Sequence, residues 1–349
     1  MHAHAHAPAR ELEEPSKVLS FLAALADYAA AFTISGESTL APARRCLIEA
    51  LARGFESLRD PRLARRIAPI VPGAVMPGGS RVPGTSLELD PVQAAFCFSL
   101  MLTRSAGGDA RLTPDGARAV GSLGPILTLA DYQARKATME GKPPPKVRDV
   151  LAALLKALEI QGAILALDGE PSPALATELH CACAAATAIA TAQLGGTRAQ
   201  IVRAVSWVGN DGAPHVDPES RHAGERREWA WAETQRRAVL HACRAAGSSH
   251  ASFLTAADLD LADAAGGVFG TRYVLPQKKP FGTAIIDRLP GEPQAKDAAR
   301  VSARFGASVD RHFPTRQAER LKALFATPQR LDDLPVNELI AALVTNGAR

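Results

Sequence analysis

The chain has 349 residues, 47% hydrophobic and only 5% aromatic, which is enough to bury one large core or two ordinary ones and excludes a disordered chain. Its 40 Lys and Arg against 36 Asp and Glu leave a formal charge of +4 with no long block of one sign, so no nucleic-acid partner is expected. That mild balance suits a small anionic ligand as readily as an ordinary solvated surface.

Residues Met1 to Ala9 alternate His and Ala. His2, His4 and His6 could hold a metal weakly, but the run reads more simply as a tail or a cloning remnant, and residues 1–17 are set apart from the expected fold. No apolar signal-peptide segment is visible there, and no later run of about eighteen strongly apolar residues stands out. The expectation is a cytoplasmic protein with no membrane association. The five cysteines, Cys46, Cys97, Cys181, Cys183 and Cys243, are odd in number and sit in helical patterns, which predicts reduced, mostly buried thiols.

From Val18 to Arg53 apolar residues recur at helical spacing and predict two amphipathic helices. Between Ile67 and Glu88 stand Pro69, Pro72, Pro77 and Pro83, the last three each followed by Gly, which predicts a long ordered loop. Asp90 then caps a helix with Pro91 in its first turn, and VQAAFCFSLMLT is apolar nearly all round, so that helix is buried. Val147 to Leu167 and Pro171 to Gln193 predict two more helices. The centre of the second, CACAAATAIATA, consists of small residues that let backbones approach closely in a bundle core. Thr197 and Gln200 form a capping box for a helix over Arg198 to Val208, ended by Gly209. Trp229 to Ala246 is helical, with one of Trp229 and Trp231 inward and the other at an interface. Tyr273 to Pro276 and Thr283 to Ile286 could pair as a hairpin. The fold class is mainly α. Cys181 and Cys183 point to different faces of one helix, which argues against a shared metal.

RVPGT (Arg81 to Thr85), LDPVQAAF (Leu89 to Phe96), SLGPILTLADY (Ser122 to Tyr132), ALEIQGAILAL (Ala157 to Leu167), AVSWVGNDG (Ala204 to Gly212), RHA (Arg221 to Ala223), REWA (Arg227 to Ala230), FPTRQ (Phe313 to Gln317) and PVNE (Pro335 to Glu338) follow one another along the chain. In these runs the chain resembles the MmgE/PrpD family of 2-methylcitrate dehydratases, in shortened form. The resemblance implies a helical domain over 18–246, a loop-rich remnant of the family's inserted α+β lid domain over 247–294, and C-terminal helices over 295–349 that complete the helical domain. It also implies a hydro-lyase that uses no metal or other cofactor, binds a tricarboxylate-like small molecule, and pairs as a homodimer or with a full-length relative.

Such a reaction needs a base for a proton beside a carboxylate, an acid for the leaving hydroxide, and cations for the carboxylates. The family's Asp-Phe-x-Asp-Thr run and its following His-Pro align with Ala106, Asp109, Ala110 and Arg118, so three of the four polar positions are replaced. Arginine stays protonated and cannot serve as the base. By resemblance, Arg118, Arg221 and Arg227 are the candidate anion holders, and His222 or Asp109 the candidate proton mover. His180 lies close to where the family carries a histidine, but a histidine on an apolar helix is more often a core residue. Two further readings stand beside a degenerate dehydratase: a non-catalytic scaffold or partner of a full-length relative, and an enzyme recruited to decarboxylation or cyclisation.

Overall fold

A computed structural model describes residues 15–34, 36–104, 121–168, 174–211, 223–247 and 295–345. The first two helices are α1 (Pro15–Ala31) and α2 (Glu37–Ser57), followed by the short α3 (Pro61–Ala64). Helix α1 begins inside the stretch expected to be a tail. The Pro-Gly loop after α3 contains two short antiparallel strands, β1 (Ser80–Arg81) and β2 (Glu88–Leu89), which the proline spacing did not reveal. Gly79, just before β1, is tightly placed: a Cβ there would stand 2.3 Å from the Leu89 carbonyl oxygen and 2.8 Å from that of Met76. Both obstacles are backbone, so Gly79→Ala is expected to cost about 1–3 kcal/mol, read as a lowered melting temperature.

Asp90 caps α4 (Pro91–Arg104) as expected, its Oδ1 accepting from the Val92 and Gln93 backbone N–H groups at 3.0 Å each. Then follow α5 (Leu123–Met139), α6 (Val147–Asp168) and α7 (Leu175–Gln193). Helix α7 is the centre of the bundle, with α1, α5, α6, α8 and α9 packed around it. Its residues are buried without a break from Thr177 to Thr191, which its run of small side chains makes possible.

Both predicted partners of the capping box at α8 (Arg198–Asp211) are present: Thr197 N donates to Gln200 Oε1 at 2.8 Å and Gln200 N to Thr197 Oγ1 at 3.3 Å. The helix does not stop at Gly209. It runs to Asp211, whose Oδ2 lies 2.8 Å from Nε2 of His241, so a tertiary contact overrides glycine as a helix end. Helix α9 (Ala223–Gly247) starts earlier than Trp229, while α7 starts later than Pro171.

Two helices correct the expectation that no long apolar run is present. Val147–Leu167 and Leu175–Gln193 are long and apolar enough to cross a membrane by length and composition. Their most apolar windows are 72% and 83% buried inside the fold, as in the core of a bundle.

The C-terminal helices α10 (Ala295–His312), α11 (Thr315–Phe325), α12 (Pro328–Asp333) and α13 (Val336–Leu343) return to this body. The sequence runs that carry the resemblance hold the return in place. In RVPGT, Arg81 Nη2 donates to the Asn337 carbonyl of PVNE at 2.6 Å, and Gly84 N to the Leu343 carbonyl at 2.6 Å. Gln317 of FPTRQ donates from Nε2 to the carbonyls of Ala342 and Val344 at 2.9 Å each. Arg44 and Asp332 form a buried pair, Nε to Oδ1 2.9 Å, between α2 and α12. The candidate hairpin over 273–286, and the whole stretch 248–294, lie outside the described residues.

Candidate acid-binding site

Helices α7 and α9 run parallel and nearly in step. Glu178 in the first turn of α7 meets Arg227 in the second turn of α9, with Nη2 and Oε2 3.7 Å apart. Further along, Cys183 Sγ lies 3.5 Å from the Thr234 carbonyl. Leu179 and Ala182 of α7 pack with Ala230 and Trp231 of α9, and Leu175 covers the group.

The chain entering α5 joins them at Gly121. A Cβ there would lie 2.9 Å from Ala182 Cβ, 3.1 Å from Trp231 Cζ3 and 3.5 Å from Gln161 Nε2 of α6. Thus the start of α5 is buried against the third turns of α7 and α9, whose own N-terminal ends lie side by side at one end of the bundle. Their unpaired N–H groups and helix dipoles give that end positive character.

Of the candidate anion holders and proton movers, the structure describes only Arg227. Asp109, Arg118, Arg221 and His222 lie outside the described residues. The Arg227 side chain is 51% exposed, while its partner Glu178 is 4% exposed. His180, two residues on, is turned about 200° round the helix from Glu178. It is buried at 3% exposure, so it does not share the face that meets Arg227.

Sequence reasoning passed over Glu178, Gln161 and Gln235 as site residues. The signal for Glu178 was a carboxylate on an otherwise small and apolar helix. For Gln235 it was the spacing of Arg227, Trp231 and Gln235, which stacks them on one face of α9. Trp231 packs inward at 4% exposed, and Trp229 is 46% exposed. Trp229 meets Phe96 of α4 edge-on, with ring centroids 4.8 Å apart.

The thiols are inert by environment. Burial pushes Cys97 and Cys183 up to about 12, so both stay protonated, and no disulfide joins any of the five cysteines. Among the described residues no three His, Cys, Asp or Glu side chains gather into a metal-binding group.

Fold and site together define a mainly helical domain in which two parallel helix N-termini and an arginine meet at one end of the bundle. The chain belongs to the MmgE/PrpD family: the family's N-terminal domain matches residues 23–253. It is 33% identical over 285 residues to the 2-methylcitrate dehydratase of Cupriavidus necator, covering 81% of this chain and 57% of that protein. It is 37% identical over 216 residues to the 2-methylcitrate dehydratase of Escherichia coli K12, covering 62% of this chain and 44% of that protein. The chain therefore spans about half the length of the curated relatives it matches.

Proposed function

We propose that this protein is a 2-methylcitrate dehydratase-like lyase or isomerase that binds a carboxylate-rich small molecule at the end of the bundle shared by α5, α7 and α9 and works without a metal. The observation that carries this reading is the half-exposed Arg227 where the N-terminal turns of the parallel helices α7 and α9 meet, to which the reading adds Arg118, Arg221 and His222 from the sequence. The arginines hold carboxylates, and the positive helix ends add to their field. His222 or Asp109 takes a proton from the carbon beside a carboxylate. The C–O bond of the neighbouring hydroxyl breaks as a C=C bond forms, and the group that took the proton from carbon returns it to the departing hydroxide, which leaves as water.

Incubation of the purified protein with 2-methylcitrate, citrate and shorter hydroxy acids, followed by proton NMR for alkene signals and by calorimetry for binding, tests this. Binding of at least one acid is expected, and Arg227→Ala should weaken it about 10- to 100-fold, the worth of one charged hydrogen bond. Failure of every acid both to bind and to react would overturn the reading.

A second reading, a non-catalytic scaffold or partner of a full-length relative, is favoured by one surface. Among the described residues the exposed large apolar side chains are Ile70, Val71, Val75, Met76, Met139 and Trp229. All but Trp229 lie in the loop after α3 or beside it, Met139 Cε being 3.6 Å from where a Gly78 Cβ would stand. Apolar patches of this kind mark interaction sites. Co-purification with a full-length relative, lost on Val75→Asp, would support it. A monomer whose behaviour is indifferent to Val75→Asp would contradict it.

A further inference from the structure

We propose that the Pro-Gly loop after α3 docks this protein on an anionic lipid surface, its turn dipping apolar side chains into the leaflet while arginines at its root meet the headgroups. This loop stands apart from the acid site and does not depend on it. Its two ends are fastened to the body. Leu63 and Ile67 are buried before it, and the Ala68 carbonyl accepts from Gln93 Nε2 of α4 at 2.8 Å. On the other side Met76 N donates to the Glu88 carbonyl at 3.2 Å.

Between those ends the chain reverses. Ala74 N donates to the Val71 carbonyl at 3.0 Å across Pro72 and Gly73, the latter at φ 80°, which is the pattern of a type II turn. A Cβ on Gly73 would meet nothing within 4 Å, so the turn stands in open space. Its arms carry Ile70, Val71 and Val75, each about two-thirds exposed. Met139 of α5, 71% exposed, lies beside the second arm, its Cε 3.6 Å from where a Gly78 Cβ would stand. Large apolar side chains gathered on a projection in this way mark an interaction site.

Charge complementarity selects the occupant. Arg59, Arg62, Arg65 and Arg66 stand exposed around α3, at the root of the loop. Arg66 pairs with Glu225 at 3.1 Å, but Arg59, Arg62 and Arg65 make no ion pair among the described residues. The carboxylates near the loop are, by contrast, engaged. Asp60 accepts from Arg62 N at 2.8 Å, Glu88 takes the Gly78 N–H at 2.6 Å and Arg135 at 2.7 Å, and Glu140 pairs with Lys142 at 2.7 Å. The mild charge of the whole chain, +4, hides this local excess. A protein partner would need a groove matched to the turn and carboxylates set around it. An anionic leaflet supplies both without shape matching, because acyl chains yield around an inserted side chain and phosphates lie just above them. Neither an apolar insertion nor a basic patch anchors well alone, and here the two adjoin along the chain.

Co-sedimentation of the full chain with vesicles tests this, using phosphatidylcholine alone and the same lipid with about 30% phosphatidylglycerol, at low salt. Wild type should partition onto the anionic vesicles about tenfold or more strongly than onto the neutral ones, and a rise to about 0.5 M salt should remove most of that preference. Arg62→Ala and Arg65→Ala should each weaken binding about fivefold, and Val71→Asp about tenfold or more. All three side chains are exposed, so melting temperatures should match wild type, which separates lost docking from lost fold. No binding of wild type to anionic vesicles would overturn the proposal, as would binding that Val71→Asp leaves intact, which is adsorption by charge alone. A stoichiometric complex with a full-length relative that Val71→Asp abolishes, in a protein that ignores vesicles, would assign the loop to a protein partner and likewise overturn it.

Discussion

Replacing Arg81 by alanine should destabilise the protein by about 3–5 kcal/mol, because it strands a carboxylate with no access to water. Asp131 of α5 is 0% exposed, and Arg81 satisfies it three times over: backbone N to Oδ2 at 2.9 Å, Nε to Oδ2 at 3.2 Å and Nη2 to Oδ1 at 2.6 Å. Burial pushes the Asp131 carboxyl above its ordinary value even with Arg81 beside it. The folded state therefore holds that proton more firmly than the unfolded chain does. Stability from this group is present at low pH and is lost as pH rises through the raised value. The deficit of Arg81→Ala should accordingly be largest near neutrality and shrink under acid conditions. Urea unfolding of both proteins across pH measures it. A deficit below about 1 kcal/mol at neutral pH, or one that grows as pH falls, would contradict the assignment.

The second large effect is expected at Phe55 of α2. Its side chain is 1% exposed and sits where the C-terminal return meets the Pro-Gly loop. Phe313 meets it edge-on with ring centroids 5.0 Å apart, and His312 stacks on it at 5.4 Å. His312 in turn donates from Nε2 to the Gly84 carbonyl at 2.7 Å. Gly84 has φ 77°, and a Cβ on it would lie 2.9 Å from Phe55 Cδ1, so both conformation and space require glycine there. Phe55→Ala should cost about 3–5 kcal/mol through lost burial and the cavity left behind. Hydrogen exchange should speed first in α10 and α11, the elements this ring anchors. Equal acceleration throughout the bundle would show that the return is not a separately held unit.

What could be read from the sequence was local. The Asp90 cap, the Thr197 and Gln200 capping box and the small-residue core helix each depend on residues within a turn or two of one another, and each appears in the structure. The runs RVPGT and PVNE were legible as family marks, but not as parts that bond to one another across more than two hundred residues. The end of α8 was misread because His241, thirty residues on, holds the turn that Gly209 would close. The site was the least legible part. Nothing in the spacing of Glu178 and Arg227 says that two helices run parallel and in step. Nor does the sequence say that Gly121 is brought against Trp231 of α9 and Gln161 of α6.

The central claim is that the end of the bundle shared by α5, α7 and α9 binds a carboxylate. A crystal structure of the full chain grown with malate tests it most directly. The account predicts the acid seated between α7 and α9, one carboxylate on the Arg227 guanidinium and its carbon chain against the Trp231 indole. An acid bound elsewhere, with Arg227 still paired only to Glu178, would contradict it.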